Sequence, residues 1–403
     1  MFVTQNFGPQ WGGMDQRHVQ LCRRFVPERV LVSTVRSVRA DGPAFDRAEP
    51  YTIIRQPFAQ RDAKRSTNTL RWAAWLAGRC GPGTELIHCG EIRPTSIAVW
   101  WAAGRARVPY LLYVNGLDLL LERRRASRPR LRVLARALMG GAAGIVANSA
   151  WTAETAADVM HRVGVPRLPP IAAIDLGTDP DEFHPTRDTG ALRARLGLGN
   201  APLLLTVARL LPHKGQDVAI RAVALLAGEF PELRYLIIGA GPHEQALRHL
   251  VADLGIANRV LFETALSTSE VAEAHATATL YVGPSRLHDA VNVEGFGLAF
   301  AEAGASGTAV IAGDSGGVRS AVRHGETGLV VPPAEERAVA GAIRDLLRDA
   351  SRREAMGRRG RALAEAYYNW DRVASETLDF ARSVVRSRQV RHDGPGLRKW
   401  GGG

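Results

Sequence analysis

Glu294 and Glu302 are separated by seven residues, and two glycines, Gly295 and Gly297, lie between them. The glycines predict a loop whose backbone approaches a ligand closely, followed by a helix that begins near Leu298. The free N–H groups at the start of such a helix bind anions. Ionised carboxylates are pure hydrogen-bond acceptors. The segment is therefore predicted to bind an anionic ligand with hydroxyl groups, such as ribose and a sugar.

Two cations follow an apolar run at 202–207, namely Arg209 and Lys214. Ligands of parallel α/β sheets bind beyond the carboxyl ends of the strands, so both side chains are expected at the ligand-binding edge. A guanidinium supplies bidentate geometry and an ammonium supplies a point charge, which together suit a diphosphate. We predict that Arg209 and Lys214 bind a diphosphate.

Strands and helices that alternate along the chain must position these residues. Short aliphatic runs alternate with alanine-rich stretches in both halves, which predicts two doubly wound α/β domains with parallel sheets. We expect a Rossmann-like N-terminal domain at 1–185, a second one at 200–368, and a returning helix with a loose basic tail at 369–403. A linker is expected at about 181–199. The cleft between the domains is the expected active site.

The composition is that of a folded globular protein, with 403 residues, 46% of them hydrophobic and 23% charged. The net charge is +12, and arginines are concentrated at 123–132 and after residue 383. This charge favours anionic partners such as nucleotides, nucleic acid or acidic lipid. Three cysteines without CxxC spacing predict neither a disulfide nor a zinc site. No leader or spanning segment is evident, so we expect a cytoplasmic protein that could attach to the inner face of a membrane.

Taken together, these residues resemble the retaining glycosyltransferases of family four, which have the GT-B fold of two facing Rossmann-like domains. The resemblance runs from a glycine turn near the N-terminus to about Pro333. Its motifs occur in the family's order: Gly12-Gly13, Asn148-Ser149, Leu176-Gly177-Thr178-Asp179, Arg209 with Lys214, Gly239-Ala240-Gly241-Pro242, Glu294 with Glu302, Asp314-Ser315-Gly316-Gly317 and His324-Gly325-Glu326-Thr327-Gly328.

The resemblance implies a role for each matching position. Arg209 and Lys214 hold the diphosphate of a nucleotide sugar, Glu302 the ribose hydroxyls and Glu294 the transferred sugar. Glu294, Arg209 and Lys214 are then the catalytic groups. The remaining donor contacts are expected from the backbone of Gly12, Gly13, Phe296, Gly297 and Leu298.

The resemblance also implies the chemistry. The hydroxyl acceptor attacks from the face of the leaving group, so configuration is retained, and fixed cations stabilise the departing diphosphate without a required metal or other cofactor. Many family members carry a histidine before Gly-x-Asp, where this chain has Asn115. An amide donates hydrogen bonds but does not titrate. Asn115 and His18 are the candidate contacts to the sugar or the acceptor.

Two other functions fit parts of the sequence. An NAD(P)-dependent oxidoreductase is suggested by Gly239 and Gly241 after a strand, with Glu263 about 20 residues on, but Glu244 at the third glycine position would repel a pyrophosphate. A non-catalytic scaffold that binds anions would leave both cations and both glutamates unused. Asp179 and Asp181 form a DxD pattern in a proline-containing turn, and no metal site is predicted there.

The sequence leaves the donor and the acceptor open. The tract at 313–317 resembles mannosyltransferases that act on lipids and favours GDP-mannose slightly over UDP-sugars. Glycolipid, polysaccharide and small-metabolite acceptors all stay open. A nucleic-acid partner is not expected.

Overall fold

A computed structural model describes residues 1–9, 12–26, 29–81, 83–264 and 266–392, with side chains to residue 387. The chain divides into two compact units. The N-terminal unit contains Met1–Ala147, Ala153–Ile174 and the residues from Ala374 onward. The C-terminal unit contains Asn148–Thr152 and Asp175–Val373.

The N-terminal unit is built on a parallel seven-stranded sheet of order β3-β2-β1-β4-β5-β6-β7. Its strands are β1 Phe2–Val3, β2 Leu31–Arg36, β3 Thr52–Ala59, β4 Ile87–Cys89, β5 Tyr110–Val114, β6 Gly144–Ala147 and β7 Ile171–Ala173. The helices along this part of the chain are α1 Gly13–Arg24, α2 Gly42–Ala48, α3 Ser66–Arg79, α4 Thr95–Ala106, α5 Gly116–Arg125, α6 Pro129–Gly140 and α7 Ala150–Val163. β4, β5 and β6 are buried at every position, as expected for a parallel sheet covered on both faces.

The C-terminal unit has a parallel six-stranded sheet of order β10-β9-β8-β11-β12-β13. Its strands are β8 Leu203–Val207, β9 Arg234–Ile238, β10 Val260–Glu263, β11 Leu280–Gly283, β12 Val310–Gly313 and β13 Gly328–Val331. The helices are α8 Ala191–Arg195, α9 Gln216–Leu226, α10 Glu244–Asp253, α11 Thr268–Thr277, α12 Leu298–Ala305, α13 Val318–Ala321, α14 Glu336–Arg348 and α15 Ala350–Ala366, and α16 Trp370–His392 follows them. The expected α/β class with two parallel sheets is confirmed.

The boundary between the units differs from the expectation. The chain enters the C-terminal unit at Asp175, ten residues before the expected domain end at residue 185. The backbone N–H of Thr178 donates to the Tyr368 carbonyl at 2.8 Å, and the guanidinium of Arg372 donates to the Asp175 carbonyl at 2.6 Å. These contacts tie the entering segment to the end of the same unit.

The expected linker at 181–199 is a packed part of the C-terminal unit. It contains a 3-10 turn, Pro185–Arg187, and α8. Thr277 donates to the Asp188 carboxylate at 2.9 Å, and Arg193 donates to the Thr277 carbonyl at 3.1 Å. From Ala374 onward α16 belongs to the N-terminal unit, where Gly144 on β6 lies against the Phe380 ring. The basic tail after residue 392 lies outside the described residues.

Candidate active site

The order of the C-terminal sheet creates a switch point between β8 and β11. From β8 the chain winds outward to β9 and β10, and from β11 it winds in the opposite direction to β12 and β13. Loops that leave the carboxyl ends of two such neighbouring strands diverge and leave a crevice, where doubly wound sheets bind ligands. The loop after β8 carries Arg209 and Lys214, and the loop after β11 carries Glu294.

Gly215 allows these two loops to pack together. It has φ +75° and ends the 3-10 turn Pro212–Lys214, immediately before α9. A Cβ atom there would overlap the carbonyl oxygen of Pro284, in the loop after β11. The backbone N–H of Arg286 also donates to the His213 carbonyl at 2.8 Å. The packing therefore places Lys214 beside the loop that carries Glu294.

Lys214 and Glu294 form an ion pair at the centre of the site. Lys214 Nζ lies 2.6 Å from Glu294 Oε2, with side chains 19% and 15% exposed. Burial raises the pKa of Glu294, but the charge and hydrogen bond of Lys214, the charge of His213 and the backbone amide of Phe296 outweigh it and hold the pKa below its ordinary value. Glu294 is therefore ionised at neutral pH, and an incoming anion meets a lysine that already has a partner.

Arg209 is the second cation of the site, and its side chain is exposed. Its backbone is held in place, because Gln216 Nε2 donates to the Arg209 carbonyl at 3.1 Å. Within the described part of the chain its guanidinium has no carboxylate partner. It is therefore available to an anionic ligand without breaking an existing ion pair.

Glu302 lies on α12, as predicted, and Glu294 lies in the preceding loop. The helix begins at Leu298, the expected position, after Gly297 with φ +98°. Burial raises the pKa of Glu302 to about 7. No described residue donates a hydrogen bond to its carboxylate, and the nearest basic group is His275, with Nε2 at 3.7 Å from Glu302 Oε2. The Glu302 carboxylate can therefore accept hydrogen bonds from a ligand.

Gly316 and Gly317 support the loop that carries Glu294, a role that the sequence did not reveal. The N–H of Gly317 donates to the Glu294 carbonyl at 2.9 Å. Cβ atoms on Gly316 and Gly317 would overlap the carbonyl oxygens of Glu294 and Gly295 respectively. Thr152 Oγ1 also donates to the Gly295 carbonyl at 3.3 Å. The glycine pair is needed because two stretches of backbone touch here.

The three residues after Gly295 differ in their burial and in their packing contacts. The Phe296 side chain is 1% exposed and meets the Tyr368 ring edge-on at 5.9 Å. Its backbone amide already acts on Glu294. Gly297 packs against the Phe300 ring, where a Cβ would overlap it, and the first helical residue is Leu298. The predicted backbone contacts of these residues to a donor stay predictions.

The predicted site residues of the N-terminal unit lie at the carboxyl end of its own sheet. Gly12 precedes α1 and Gly13 begins it, and a Cβ on Gly13 would meet no atom within 4 Å. Asn115 follows β5 and caps α5 in a reciprocal arrangement with Asp118. Its amide donates to the Met14 sulfur at 3.2 Å. The roles of Gly12, Gly13 and Asn115 in donor or acceptor binding stay predictions.

His18 does not lie on a ligand-facing surface of its unit. Its side chain is fully buried, and Nδ1 lies 2.8 Å from the Asn6 carbonyl and 3.2 Å from Thr4 Oγ1. Burial lowers its pKa to about 3. This interior position argues against the expected contact of His18 with sugar or acceptor and assigns it to the polar interior at the end of β1.

The structure explains the motifs that suggested other functions. Cβ atoms on Gly239 and Gly241 would overlap the carbonyl oxygens of Ala208 and Leu210, so these glycines pack against the loop after β8 instead of opening toward a dinucleotide. The Asp179 carboxylate accepts the backbone N–H groups of Asp181 and Glu182 at 3.1 and 3.2 Å, which makes the DxD pattern a local turn. Within residues 1–392, where described, no cluster of three or more His, Cys, Asp or Glu side chains could hold a metal ion.

The chain is similar in sequence to known proteins over almost its whole length. Residues 188–363 match the family model described as Glycosyl transferases group 1. The chain is 32% identical over 397 residues to a GDP-mannose-dependent alpha-(1-6)-phosphatidylinositol monomannoside mannosyltransferase of Mycobacterium tuberculosis, over 96% of this chain and 99% of that protein. It is 33% identical over 398 residues to a D-inositol 3-phosphate glycosyltransferase of Thermobispora bispora, over 91% and 89%.

A similar fold occurs in solved structures. The Anabaena protein Alr3699/HepE, in complex with UDP and glucose, matches with a TM-score of 0.77 at 20% sequence identity, over 95% of this chain and 98% of that one. At this identity the match concerns the fold alone. Over the described residues, no helix of this chain is both long and apolar enough to cross a bilayer.

Proposed function

Since the chain belongs to the glycosyl transferases group 1 family, the family-four glycosyltransferases with the GT-B fold, we propose that its C-terminal unit binds GDP-mannose and that the enzyme transfers mannose with retention. The observation that carries the proposal is the grouping of Arg209, Lys214, Glu294 and Glu302 at one switch point. GDP-mannose is favoured over UDP-sugars because the relative with 99% of its length covered is named for that donor. The oxidoreductase and scaffold alternatives find no support.

Each of these side chains has a distinct task in the proposed reaction. Arg209 and Lys214 bind the diphosphate and stabilise the negative charge that develops on it as the glycosidic C–O bond breaks. Glu302 accepts hydrogen bonds from the ribose hydroxyls. Glu294 accepts from a sugar hydroxyl, orients the sugar and favours its developing positive charge. The departing phosphate takes the proton of the acceptor hydroxyl.

We further propose that the acceptor contains an inositol phosphate and is carried by a membrane lipid. The support is the relatives, which are named for phosphatidylinositol monomannoside and for inositol 3-phosphate. The arginines of α5, of α6 and of the turn between them give the N-terminal unit a surface that suits anionic lipid. Arg125 is held by Glu122 at 2.7 Å, but Arg128, Arg132 and Arg136 have no carboxylate partner among the described residues. Arg132 and Arg136 line a surface cavity of about 230 Å³.

Donor binding is tested by titration calorimetry with GDP, UDP, ADP and NAD in excess chelator. The parent protein is expected to bind GDP most tightly. Lys214→Ala should weaken this binding at least tenfold, because a charge-assisted contact to phosphate is lost. Lys64→Ala is the matched control, since Lys64 is exposed and lies in the other unit. Equal GDP affinity in the parent and in Lys214→Ala would refute the proposed donor site.

Membrane contact is tested by co-sedimentation with vesicles of phosphatidylglycerol and phosphatidylcholine at low salt. A triple variant with Ala at Arg128, Arg132 and Arg136 should partition onto the vesicles about a hundredfold more weakly than the parent. Each basic residue near an anionic surface contributes about 1 kcal/mol to the free energy of binding. Replacing Arg352, Arg358 and Arg359 on α15 removes the same charge from the other unit. Equal losses of vesicle binding in both triple variants would show that binding depends on net charge alone. That result would refute a membrane-binding surface formed by Arg128, Arg132 and Arg136.

A further inference from the structure

His275 is a buried polar side chain next to Glu302, with its Nε2 at 3.7 Å from Glu302 Oε2. It lies on α11, a helix fixed at its start by a capping box between Ser267 and Glu270. Its ring is fully buried, and neither ring nitrogen has a hydrogen-bond partner among the residues the structure describes. The ring stacks on Tyr281 with centroids 5.4 Å apart and an interplanar angle of 10°. This stacking fixes the plane of the imidazole and the direction of Nε2.

Among the described residues, none forms a hydrogen bond with the His275 ring or the Glu302 carboxylate. The 3.7 Å between Nε2 and Oε2 is within ion-pair range and is too long for a hydrogen bond. Buried polar groups of native proteins are nearly all hydrogen-bonded, because an unpaired one costs free energy. The Glu302 side chain is still 9% exposed, so a ligand that supplies hydroxyl donors from the solvent side would complete the arrangement. The ribose of a nucleotide is such a ligand.

We propose that His275 is a positioning residue for Glu302, and that occupation of the ribose site closes the His275–Glu302 gap into a hydrogen bond and releases a proton from Glu302. The proposal rests on the proposed role of Glu302 in ribose binding. The proton balance is simple: Glu302 gives its proton to solvent, His275 stays neutral with its proton on Nε2, and the ionised carboxylate accepts from Nε2–H and from the ribose hydroxyls.

The surroundings of His275 and Glu302 favour the release of the Glu302 proton and the formation of the hydrogen bond. Burial raises the pKa of Glu302 to about 7 and lowers that of His275 to about 3, so in the free protein both groups are neutral below pH 7. The titratable and charged groups of the elements packed around α12 already have other partners or lie toward solvent. Tyr281 on β11 is bonded to the Val207 carbonyl, and Arg319 on α13 is bonded to Asp314. On α11, Glu270 is bonded to Ser267, and Glu273 is bonded to Thr189 and Leu192. On α15, Arg353 is bonded to the Leu346 carbonyl, and Arg361 is bonded to Pro180, Phe183, Ala305 and Glu365. Lys214 and Glu294, in the loops of the site, are paired with each other.

The first test measures proton release on binding of GDP-mannose to the full protein. Calorimetry in buffers of different ionisation enthalpy gives the protons exchanged, and GDP-mannose is chosen because its diphosphate has no titrating proton near neutral pH. About half a proton per site should be released at pH 7 and almost none at pH 9, since Glu302 is half ionised near pH 7 and fully ionised at pH 9. Affinity should rise about tenfold from pH 6 to pH 8. Glu302→Gln should abolish both effects.

The second test examines His275 itself. His275→Leu removes the N–H donor to the ionised carboxylate of the bound state, so affinity should fall and should rise less between pH 6 and pH 8 than in the parent. His275→Gln keeps an N–H donor and should restore most of the parent's pH profile. The melting temperatures of both variants distinguish a loss of folding from a loss of positioning. The number of protons that the parent releases on binding GDP-mannose is measured without either variant.

The outcomes separate the two proposals. If Glu302→Gln binds GDP-mannose as tightly as the parent at pH 8, the ribose role of Glu302 is wrong. If Glu302→Gln binds weakly but the parent releases no proton, the ribose role stands and the inference about His275 is overturned. A His275→Leu variant with the parent's affinity and pH profile would overturn it as well.

Discussion

The Lys214–Glu294 ion pair leads us to predict that a mutation in the active site strengthens ligand binding, whereas such mutations usually weaken it. In the free protein the lysine that should bind the diphosphate is 2.6 Å from a carboxylate. A phosphate oxygen that reaches Lys214 must therefore approach the negative charge of Glu294. We expect Glu294→Gln to bind GDP more tightly than the parent, although it transfers mannose more slowly.

The magnitude follows from the geometry. Two unit charges 4 Å apart interact by about 4 kcal/mol at an effective dielectric constant of about 20, and at about 6 Å by between 2 and 3 kcal/mol. Both side chains are partly exposed, and the nearby cations offset part of this repulsion. We therefore expect a gain of about 1.4 kcal/mol, or tenfold, in GDP affinity. The rate of transfer should fall about a hundredfold, because a charge that acts on the sugar in the transition state is lost.

Titration calorimetry with GDP and steady-state kinetics with GDP-mannose measure the two effects. Glu302→Gln should change GDP affinity in the opposite direction, about tenfold weaker at pH 8, because a charge-assisted acceptor for ribose is lost. Glu354→Gln on the exposed face of α15 serves as the matched control. Weaker GDP binding in Glu294→Gln would refute the reasoning and would show that Glu294 holds Lys214 in place for the phosphate.

Three further predictions concern the same site. Gly317→Ala should weaken GDP binding and lower the melting temperature, since its Cβ would overlap the Gly295 carbonyl, whereas Gly341→Ala in the open helix α14 should be neutral or slightly stabilising. Arg209→Ala should weaken GDP binding about thirtyfold and leave the melting temperature within about 1 °C, because the exposed guanidinium has no described carboxylate partner. Burial raises the pKa of Glu302 from 4.5 to about 7, so the native state holds a proton that the unfolded state has lost. The free energy of unfolding should therefore fall by about 3 kcal/mol between pH 4.5 and pH 8 relative to Glu302→Gln, as measured by urea titration.

Much of the C-terminal unit was readable from the sequence because its strands are continuous apolar runs bounded by glycine, proline or polar residues. The loop at Glu294 and the helix start at Leu298 followed from the glycines between the two glutamates. β3 gives a weak sequence signal, because Pro57 interrupts it and most of its side chains are only partly buried or exposed at the edge of the sheet. β7 has only three residues and lies at the other edge.

The parts of the site that depend on contacts distant in sequence were not readable. His275 gives no local signal, because a histidine in an alanine-rich helix is unremarkable until Glu302 is placed next to it. Gly317 was seen as part of a family motif, and only the contact with the Gly295 carbonyl explains why it is glycine. Composition predicts a domain boundary near residue 185, whereas the structure places it near Asp175, where Thr178 bonds to Tyr368 and Arg372 bonds to Asp175.

The division of the N-terminal unit into three separate stretches has a consequence for synthesis. Its last stretch starts at Ala374, and α16 covers β6 where Gly144 meets Phe380. A ribosome has therefore translated the whole C-terminal unit before the residues that cover β6 exist. Until then the nascent chain must carry β6 without the contact between Gly144 and Phe380, and incompletely packed chains of this kind are exposed to aggregation and to chaperones.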